Sequence, residues 1–174
     1  MTTNTFGTNI CEELSVIQFN PDKIARLISE LRKAVQNLRR LRSNEKHSFL
    51  NDPDKIGSAK YHFIVAIESA IDICSHIVSR NRFRVPEDYA DTFRVIHENG
   101  GFDAQLVLTL REMTKFRNRL VHLYWEVDDE QIYDILQTRL GDFDRFLERV
   151  SVFLGLGRMN DIVTDAIGEH PEMI

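Results

Sequence analysis

The sequence has few of the residues that interrupt regular structure or build covalent frameworks. Of its 174 residues, 2 are cysteine, 4 are proline and 8 are glycine. Two cysteines, Cys11 and Cys74, cannot form the several cross-links of a small disulfide-stabilised domain. Cys74 lies in an apolar run, where a small buried side chain is expected. The scarcity of proline and glycine predicts long, uninterrupted elements.

Positive charge is also in deficit, since the formal net charge is −5. This balance argues against a protein coated with positive charge for long nucleic-acid tracts, but it allows a local basic cleft. The N-terminal stretch lacks the basic and apolar segments of a secretory signal, and no apolar run reaches the roughly 18 residues of a membrane span. We therefore expect a soluble, cytoplasmic, single-domain protein with no membrane association.

What the sequence does contain is apolar residues at helical spacing in five stretches, most with a recognisable start signal. Because no stretch reads as a strand, these predict an all-α, antiparallel bundle of about five helices. The last helix is expected to run unbroken from its cap at Asp128. The predicted starts are Pro21 after the cap Asn20, Pro53, Pro86, the residue after Asp103 and the residue after Asp128. The predicted boundaries are an N-terminal extension over 1–20, a helical domain over 21–154 and a C-terminal tail over 155–174.

The second predicted helix is apolar almost all round, which is typical of the central helix of a bundle. Against that background Glu68, Asp72 and His76 recur every four residues and form one polar stripe. Buried charges are normally paired, so the stripe is either satisfied by another helix or subunit, or it faces a functional cleft. A metal site is the weakest alternative, because no second ligand set of the kind used by carboxylate bundles accompanies it.

The densest group of chemically capable residues is the stretch from Arg111 to Asp128. A histidine can transfer protons near neutral pH, and an arginine can bind a phosphate through two N–H groups. Cations outnumber acids here although the chain is acidic. The cations are Arg111, Lys115, Arg117 and Arg119, and the polar group is completed by Asn118, His122 and Tyr124.

Helical geometry separates the two most reactive members of this group. Arg117 and His122 lie about 140° apart around a regular helix, so one straight helix does not direct both at one point. Either the arginine wraps around, or the last turn unwinds, or a second copy supplies the missing group across a dimer interface. The alternative without chemistry is that His122 is a C-terminal cation favoured by the helix dipole and the arginines are solvated.

The run from Arg117 to Tyr124, RNRLVHLY, resembles the Arg-x4-His-x-Tyr motif of HepT-like toxins in the HEPN ribonuclease superfamily. The segments YHFIVAIESAIDICSHI, PEDYADTF and FRNRLVHLYWEVDDEQIYDIL are also similar to that family, so the resemblance covers roughly residues 23–152. It implies a metal-independent endoribonuclease without a cofactor, acting as a homodimer in which two motifs line one cleft.

The same resemblance implies a role for each residue. His122 would act as general acid or base, Arg117 would stabilise charge on the phosphate, and Asn118 would hold His122 or a phosphate oxygen. A minimal nucleotidyltransferase antitoxin would silence the enzyme by adding AMP to Tyr124. The residues expected to support these groups or to bind RNA are Lys115, Arg119, Glu68 and Asp72.

A second hypothesis belongs to a different functional class. The same bundle could be a non-catalytic, nucleotide-binding or partner-binding subunit of a nucleotidyltransferase complex. This hypothesis predicts no chelator-resistant nuclease activity and a tight complex with the transferase.

Overall fold

A computed structural model describes residues 16–156, which fold into seven α-helices and one 3-10 turn. No strand occurs in this range, which confirms the all-α prediction. In chain order the elements are α1 (Pro21–Arg42), α2 (Lys46–Leu50), α3 (Pro53–Arg80), α4 (Tyr89–Glu98), α5 (Ala104–His122), the 3-10 turn (Tyr124–Glu126), α6 (Asp129–Thr138) and α7 (Gly141–Phe153).

Side-chain caps set the starts of the long helices where the sequence predicts them. The Asn20 side chain accepts a hydrogen bond from the backbone N–H of Lys23, at 3.0 Å. Asp103 does the same for Leu106 at 2.8 Å, and Asp128 for Glu130 at 3.1 Å. Each cap satisfies a backbone donor that the first helical turn leaves unpaired.

Helix α3 is the centre of the bundle and packs against α1, α2, α4, α5 and α6. Phe63, Ile67, Ile73 and Ile77 on this helix are fully buried or nearly so. Cys74 is buried with them, which confirms the prediction for that residue, and burial raises the pKa of its thiol. The central position of α3 makes it the rigid element against which the motif helix α5 is placed.

Three boundaries differ from the sequence-based expectation. A short helix, α2, precedes α3 and was not predicted. Helix α4 begins at Tyr89 rather than Pro86, because the Asp88 side chain accepts a hydrogen bond from the backbone N–H of Asp91 and so caps the helix there. The single helix expected after Asp128 is two helices, since α6 ends at Thr138 and α7 restarts at Gly141.

The segment ahead of α1 is attached to the far end of α3. The backbone N–H of Gln18 donates to the side-chain oxygen of Asn81 at 2.7 Å, and the Asn81 amide donates to the Gln18 carbonyl at 2.8 Å. The backbone N–H of Asn20 donates to Nε2 of His76 at 2.9 Å. These bonds place the start of α1 beside the end of α3, so the two helices run antiparallel. The predictions for 1–15 and 157–174 lie outside the described residues.

Within the described range, α3 is the one helix long and apolar enough to satisfy the length and composition criteria for a membrane span. However, 61% of its most apolar window is buried inside the bundle. Its apolar surface is therefore covered by other helices, as expected for the core helix of a soluble protein.

Candidate functional site

The candidate site is built on the C-terminal half of α5, where the motif residues fall. Leu120 on this helix is buried and anchors it to the core, and the helix ends at His122. The chain then enters the 3-10 turn over Tyr124–Glu126, which leads to the Asp128 cap of α6. His122 thus occupies the last helical residue and Tyr124 the first residue of the turn; the Tyr124 side chain lies outside the described part of the structure.

Arg117 is held from several sides at the junction of α3, α4 and α5. Its guanidinium donates to a carboxylate oxygen of Glu68 in an ion pair, and to the side-chain oxygen of Asn118 at 2.9 Å. Its terminal carbon lies 6.0 Å from the centre of the Tyr89 ring, within the range of a cation–π contact. Only 15% of its side chain is exposed. The guanidinium is therefore fixed before any ligand arrives.

The Nε of Arg117 is buried and has no hydrogen-bond partner among residues 16–156. An unpaired buried N–H costs free energy that an added acceptor recovers.

His122 lies on the solvent face of the same helix and is exposed. It makes no hydrogen bond or ion pair with the described part of the chain. The angular separation that the sequence predicts is thus present, with Arg117 turned to the bundle and His122 turned away from it. Within one chain the site does not bring these two residues together.

Asn118 is paired with Arg117 and does not contact His122. Sequence reasoning assigned it to His122 or to a phosphate oxygen. Its oxygen accepts from the guanidinium and so helps to orient Arg117, while the predicted roles of Asn118 toward His122 and phosphate stay predictions.

The polar stripe of α3 is divided among different neighbours. Glu68 pairs with Arg117 on α5, so it is satisfied by another helix and is also positioned to orient Arg117, as both alternatives allow. Asp72 is exposed and is not brought to Arg117 or His122. His76 is buried and accepts from the backbone of Asn20, far from the motif.

Two further cations of α5 make contacts near the site. Lys115 is exposed and pairs with Glu112 at 2.8 Å, and this hydrogen bond lowers the pKa of the Glu112 carboxyl. Arg119 donates to the side-chain oxygen of Gln131 at 3.2 Å and to the backbone carbonyl of Glu126 at 3.4 Å. Arg119 therefore links α5 to the 3-10 turn and to α6.

Two aromatic residues at the site were given no role by the sequence. Tyr89 is 55% exposed and contacts Arg117 from the first turn of α4. Trp125 is 66% exposed in the turn after His122. Tyr89 is identified as part of the site only by its position next to Arg117 in space, which a single sequence does not show.

In residues 16–156, no three His, Cys, Asp or Glu side chains are grouped so that they could hold a metal ion. The groups that the structure places at the site are a guanidinium, a carboxylate, an imidazole, an amide and an aromatic ring.

Sequence comparison identifies related proteins over most of the bundle. A family model described as ribonuclease HepT-like matches residues 31–150. An mRNA nuclease HepT of Shewanella oneidensis is 30% identical over 81 residues, which are 47% of this chain and 61% of that protein. A protein of Archaeoglobus fulgidus named "Putative RNase" is 31% identical over 98 residues, 56% of this chain and 74% of that protein.

Solved structures with the same fold include toxin–antitoxin complexes. A tri-AMPylated Shewanella oneidensis HEPN toxin in complex with an MNT antitoxin superposes with a TM-score of 0.71 at 22% identity, covering 76% of this chain and 99% of that chain. A toxin–antitoxin structure with AMP-PNP gives 0.70 at 22% identity, covering 75% and 99%. YutE of Bacillus subtilis, a cytosolic protein of unknown function, gives 0.65 at 13% identity, covering 88% and 96%. At these identities the likeness concerns the fold.

Proposed function

The chain belongs to the HepT-like ribonuclease family, and we propose that it is a metal-independent endoribonuclease, the toxin of a toxin–antitoxin pair. The observation that carries this proposal is the fixed guanidinium of Arg117, held by Glu68 and Asn118, with His122 exposed five residues later on the same helix. Such a pair offers a phosphate-binding cation and an imidazole that can act as general acid or base. Membership of a family described as ribonuclease HepT-like supports this hypothesis over the non-catalytic binding module.

We propose that the working enzyme is a homodimer. Arg117 and His122 diverge within one chain, so a second copy of α5 is needed to line one cleft with both groups. Exposed apolar residues next to the motif support this arrangement, because apolar surface at an interface is removed from water when two chains associate. These residues are Val121, Leu123 and Trp125.

In the proposed reaction the neutral imidazole of His122 removes the proton from a ribose 2′-hydroxyl. The 2′-oxygen attacks the adjacent phosphorus, and the bond from phosphorus to the 5′-oxygen breaks. The leaving 5′-oxygen takes a proton from the imidazolium form of His122. The products are a 2′,3′-cyclic phosphate and a 5′-hydroxyl. Arg117 stabilises the charge that accumulates on the phosphate oxygens.

We further propose that a minimal nucleotidyltransferase encoded with this chain is its antitoxin. The related Shewanella toxin was solved tri-AMPylated and in complex with such a protein. In this chain the acceptor is Tyr124: its hydroxyl oxygen attacks the α-phosphorus of ATP, pyrophosphate leaves, and the tyrosine becomes an AMP ester. The added phosphate brings negative charge two residues from His122, where it would repel an RNA phosphate.

The unit that carries these activities is proposed to be residues 21–154, acting in the cytoplasm. All seven helices of the described range fall within these bounds. The segments 1–20 and 155–174 are assigned to no catalytic step.

The proposal is tested by RNA cleavage in excess EDTA, using protein produced without its partner and shown by intact mass to carry unmodified Tyr124. We expect the parent to leave cyclic phosphate ends. His122→Ala should reduce the rate at least about 100-fold, the range typical for loss of a general base. His47→Ala is the matched control, because His47 is also exposed but bonds only to Asn51.

Two results would contradict the proposal. Cleavage by His122→Ala at the parental rate would remove His122 from the reaction. No cleavage by the unmodified parent would favour the non-catalytic binding subunit.

A further inference from the structure

A second concave site lies next to the motif, between the end of α3 and the start of α4. It is a pocket of about 530 Å³. Its lining includes two arginines, two serines, apolar residues of the connecting loop and Tyr89. The residues used below are Arg80, Arg82, Phe83, Val85, Asp88 and Tyr89.

The arginines around this pocket are not equivalent. Arg84 does not line it and forms a structural fork, donating to Asp91 at 2.8 Å and to Glu98 at 2.7 Å. Arg80 and Arg82 are exposed, line the pocket and make no hydrogen bond or ion pair with the described residues. Two cations at one concavity without carboxylate partners there predict an anionic ligand.

Arg82 also has an unfavourable backbone conformation. Its φ is +32°, the one positive value among the non-glycine residues of the described range. A side chain in this region costs free energy unless the surroundings enforce it, and such residues cluster at binding sites. The surrounding structure therefore holds Arg82 at the pocket although its backbone conformation is unfavourable for an L-residue with a side chain.

Tyr89 connects the pocket to the catalytic motif. One part of its ring faces Arg117 at 6.0 Å, and the residue also lines the pocket with 55% of its surface exposed. Val85, which is 85% exposed, extends the apolar surface beside it. A ligand in the pocket would thus be one side chain away from the guanidinium that is proposed to bind the reacting phosphate.

We propose that this pocket binds the nucleotide of a single-stranded RNA that neighbours the cleaved phosphate. Its base stacks on Tyr89 and its phosphate is bound by Arg80 and Arg82. Aromatic rings beside unpaired arginines are the combination that binds single-stranded nucleic acid with little sequence preference. The inference rests on the proposed function, because it takes the phosphate at Arg117 to be the one that is cut.

One acid, Asp88, also lines the pocket. Its carboxylate accepts the backbone N–H of Asp91 at 2.7 Å as the cap of α4, and it therefore has a structural role. The two arginines leave a positive balance against this single carboxylate. An anionic group such as a nucleotide phosphate is consequently favoured over a cationic or a neutral apolar ligand.

The test measures binding of a short fluorescent single-stranded RNA by anisotropy, in a His122→Ala background that does not cut it. Arg82→Gln should weaken binding about fivefold and lower the slope of log Kd against log salt by about 0.7, the value for one phosphate contact on a single strand. Tyr89→Ala should weaken binding about tenfold, a loss typical of one stacked base. Tyr89→Phe keeps the ring and should bind like the parent.

Arg40→Gln is the matched control. Arg40 is exposed on α1 and lies 20 residues from Asn20, which contacts the end of α3, so it is about 30 Å from the pocket. It removes the same charge, and we expect RNA affinity to change less than twofold. The thermal unfolding midpoint of each variant is measured to check that the bundle is still folded.

The results separate this inference from the proposed function. If the parent cuts RNA but Arg82→Gln and Tyr89→Ala bind it as tightly as Arg40→Gln, the pocket inference is wrong and the ribonuclease stands. If Arg82→Gln binds RNA normally but loses affinity for the transferase, the pocket is a protein-docking site and the inference is also overturned. A parent that neither cuts nor binds RNA overturns both.

Discussion

Glu68 on α3 accepts a hydrogen bond from the guanidinium of Arg117 on α5, and this ion pair joins the central helix to the motif helix. The pair is partly shielded, with 33% of the Glu68 side chain and 15% of the Arg117 side chain exposed. A phosphate that approaches Arg117 therefore meets a cation whose direction is already set by α3. The carboxylate also offsets part of the positive charge of Arg117. Glu68 therefore orients the guanidinium but weakens its attraction for a phosphate.

Glu68→Gln should lower the free energy of unfolding by about 1–2 kcal/mol, because it replaces a charge-assisted hydrogen bond at a partly buried site with a weaker neutral one. RNA cleavage should fall by more than the loss of folded protein accounts for, about tenfold, since a displaced Arg117 stabilises the transition state poorly. Urea unfolding and cleavage rates measure the two effects.

Glu30→Gln is the control for Glu68→Gln. Glu30 pairs with Arg26 on the exposed surface of α1, at 3.5 Å. Exposed pairs contribute little, so its removal should cost less than about 0.5 kcal/mol and leave cleavage unchanged. Equal effects of the two substitutions would contradict an orienting role for Glu68.

Arg119→Ala should loosen the turn that carries Tyr124 while leaving the bundle folded. Arg119 is the side chain that reaches from α5 to the carbonyl of Glu126 and to Gln131 on α6. We expect faster amide hydrogen exchange at Glu126, whose N–H bonds to the Leu123 carbonyl at 2.9 Å. Exchange mass spectrometry of the peptide spanning the turn measures this change.

Arg111→Ala is the comparison for Arg119→Ala, since Arg111 lies on the exposed face of the same helix. Its removal takes away an equal charge and should leave exchange in the turn unaltered. If both variants exchange alike, charge rather than the Arg119 contacts governs the turn.

Gly101→Ala should destabilise the protein by about 1–3 kcal/mol, the usual cost of overpacking. A Cβ at this position would lie 2.5 Å from a methyl carbon of Ile96 and 3.0 Å from the ring of Phe153.

Gly57→Ala should have the opposite effect on stability. The residue lies inside α3, and an added Cβ would meet no atom within 4 Å apart from the helix's own nearby backbone. We expect a gain of about 0.5–1 kcal/mol there, from better helix propensity. Thermal unfolding midpoints should therefore shift in opposite directions.

Stability should decrease on mild acidification because of His76. Burial lowers the pKa of its imidazole, and the positive charges of Lys23 and Arg80 lower it further. Only a neutral ring can accept the Asn20 N–H. The unfolded chain, with a pKa of about 6.5, binds this proton more readily than the folded chain. The stabilisation is therefore complete above about pH 6.5 and is lost progressively below it.

His76→Gln removes the titration while keeping a side chain that can accept a hydrogen bond. Unfolding free energies at several pH values between about 7.5 and 5.5 should show a shallower decline than in the parent. Some decline should persist, since burial also lowers the pKa of His62. An unchanged slope would show that His76 is not the source.

The features that the sequence predicts correctly depend on local chemistry. Asn20, Asp103 and Asp128 cap helices because a short polar side chain reaches a backbone N–H two or three residues ahead, whatever the rest of the chain does. The ion pair of Glu68 could be predicted only as one alternative, because it needs the relative placement of two helices. The angle between Arg117 and His122 follows from the geometry of a single helix, so the sequence alone predicts it.

The errors arise where two local signals compete or where no local signal exists. Pro86 and Asp88 are both typical of a helix start. The helix begins after Asp88, because the Asp88 side chain accepts a hydrogen bond from the backbone N–H of Asp91. The apolar pattern keeps its phase from Leu136 to Phe143, so it conceals the break between α6 and α7. The role of Tyr89 could not be predicted, because its proximity to Arg117 is set by how α4 packs against α5.

The attachment of Gln18 to Asn81 has a practical consequence for preparing this protein. Asn81 lies between Arg80 and Arg82, so the residues that lead into α1 pass beside the α3–α4 pocket at Gln18. A foreign peptide joined close to Gln18 would add its side chains near the surface where RNA is proposed to bind. Affinities are therefore best measured on protein from which any purification tag has been removed.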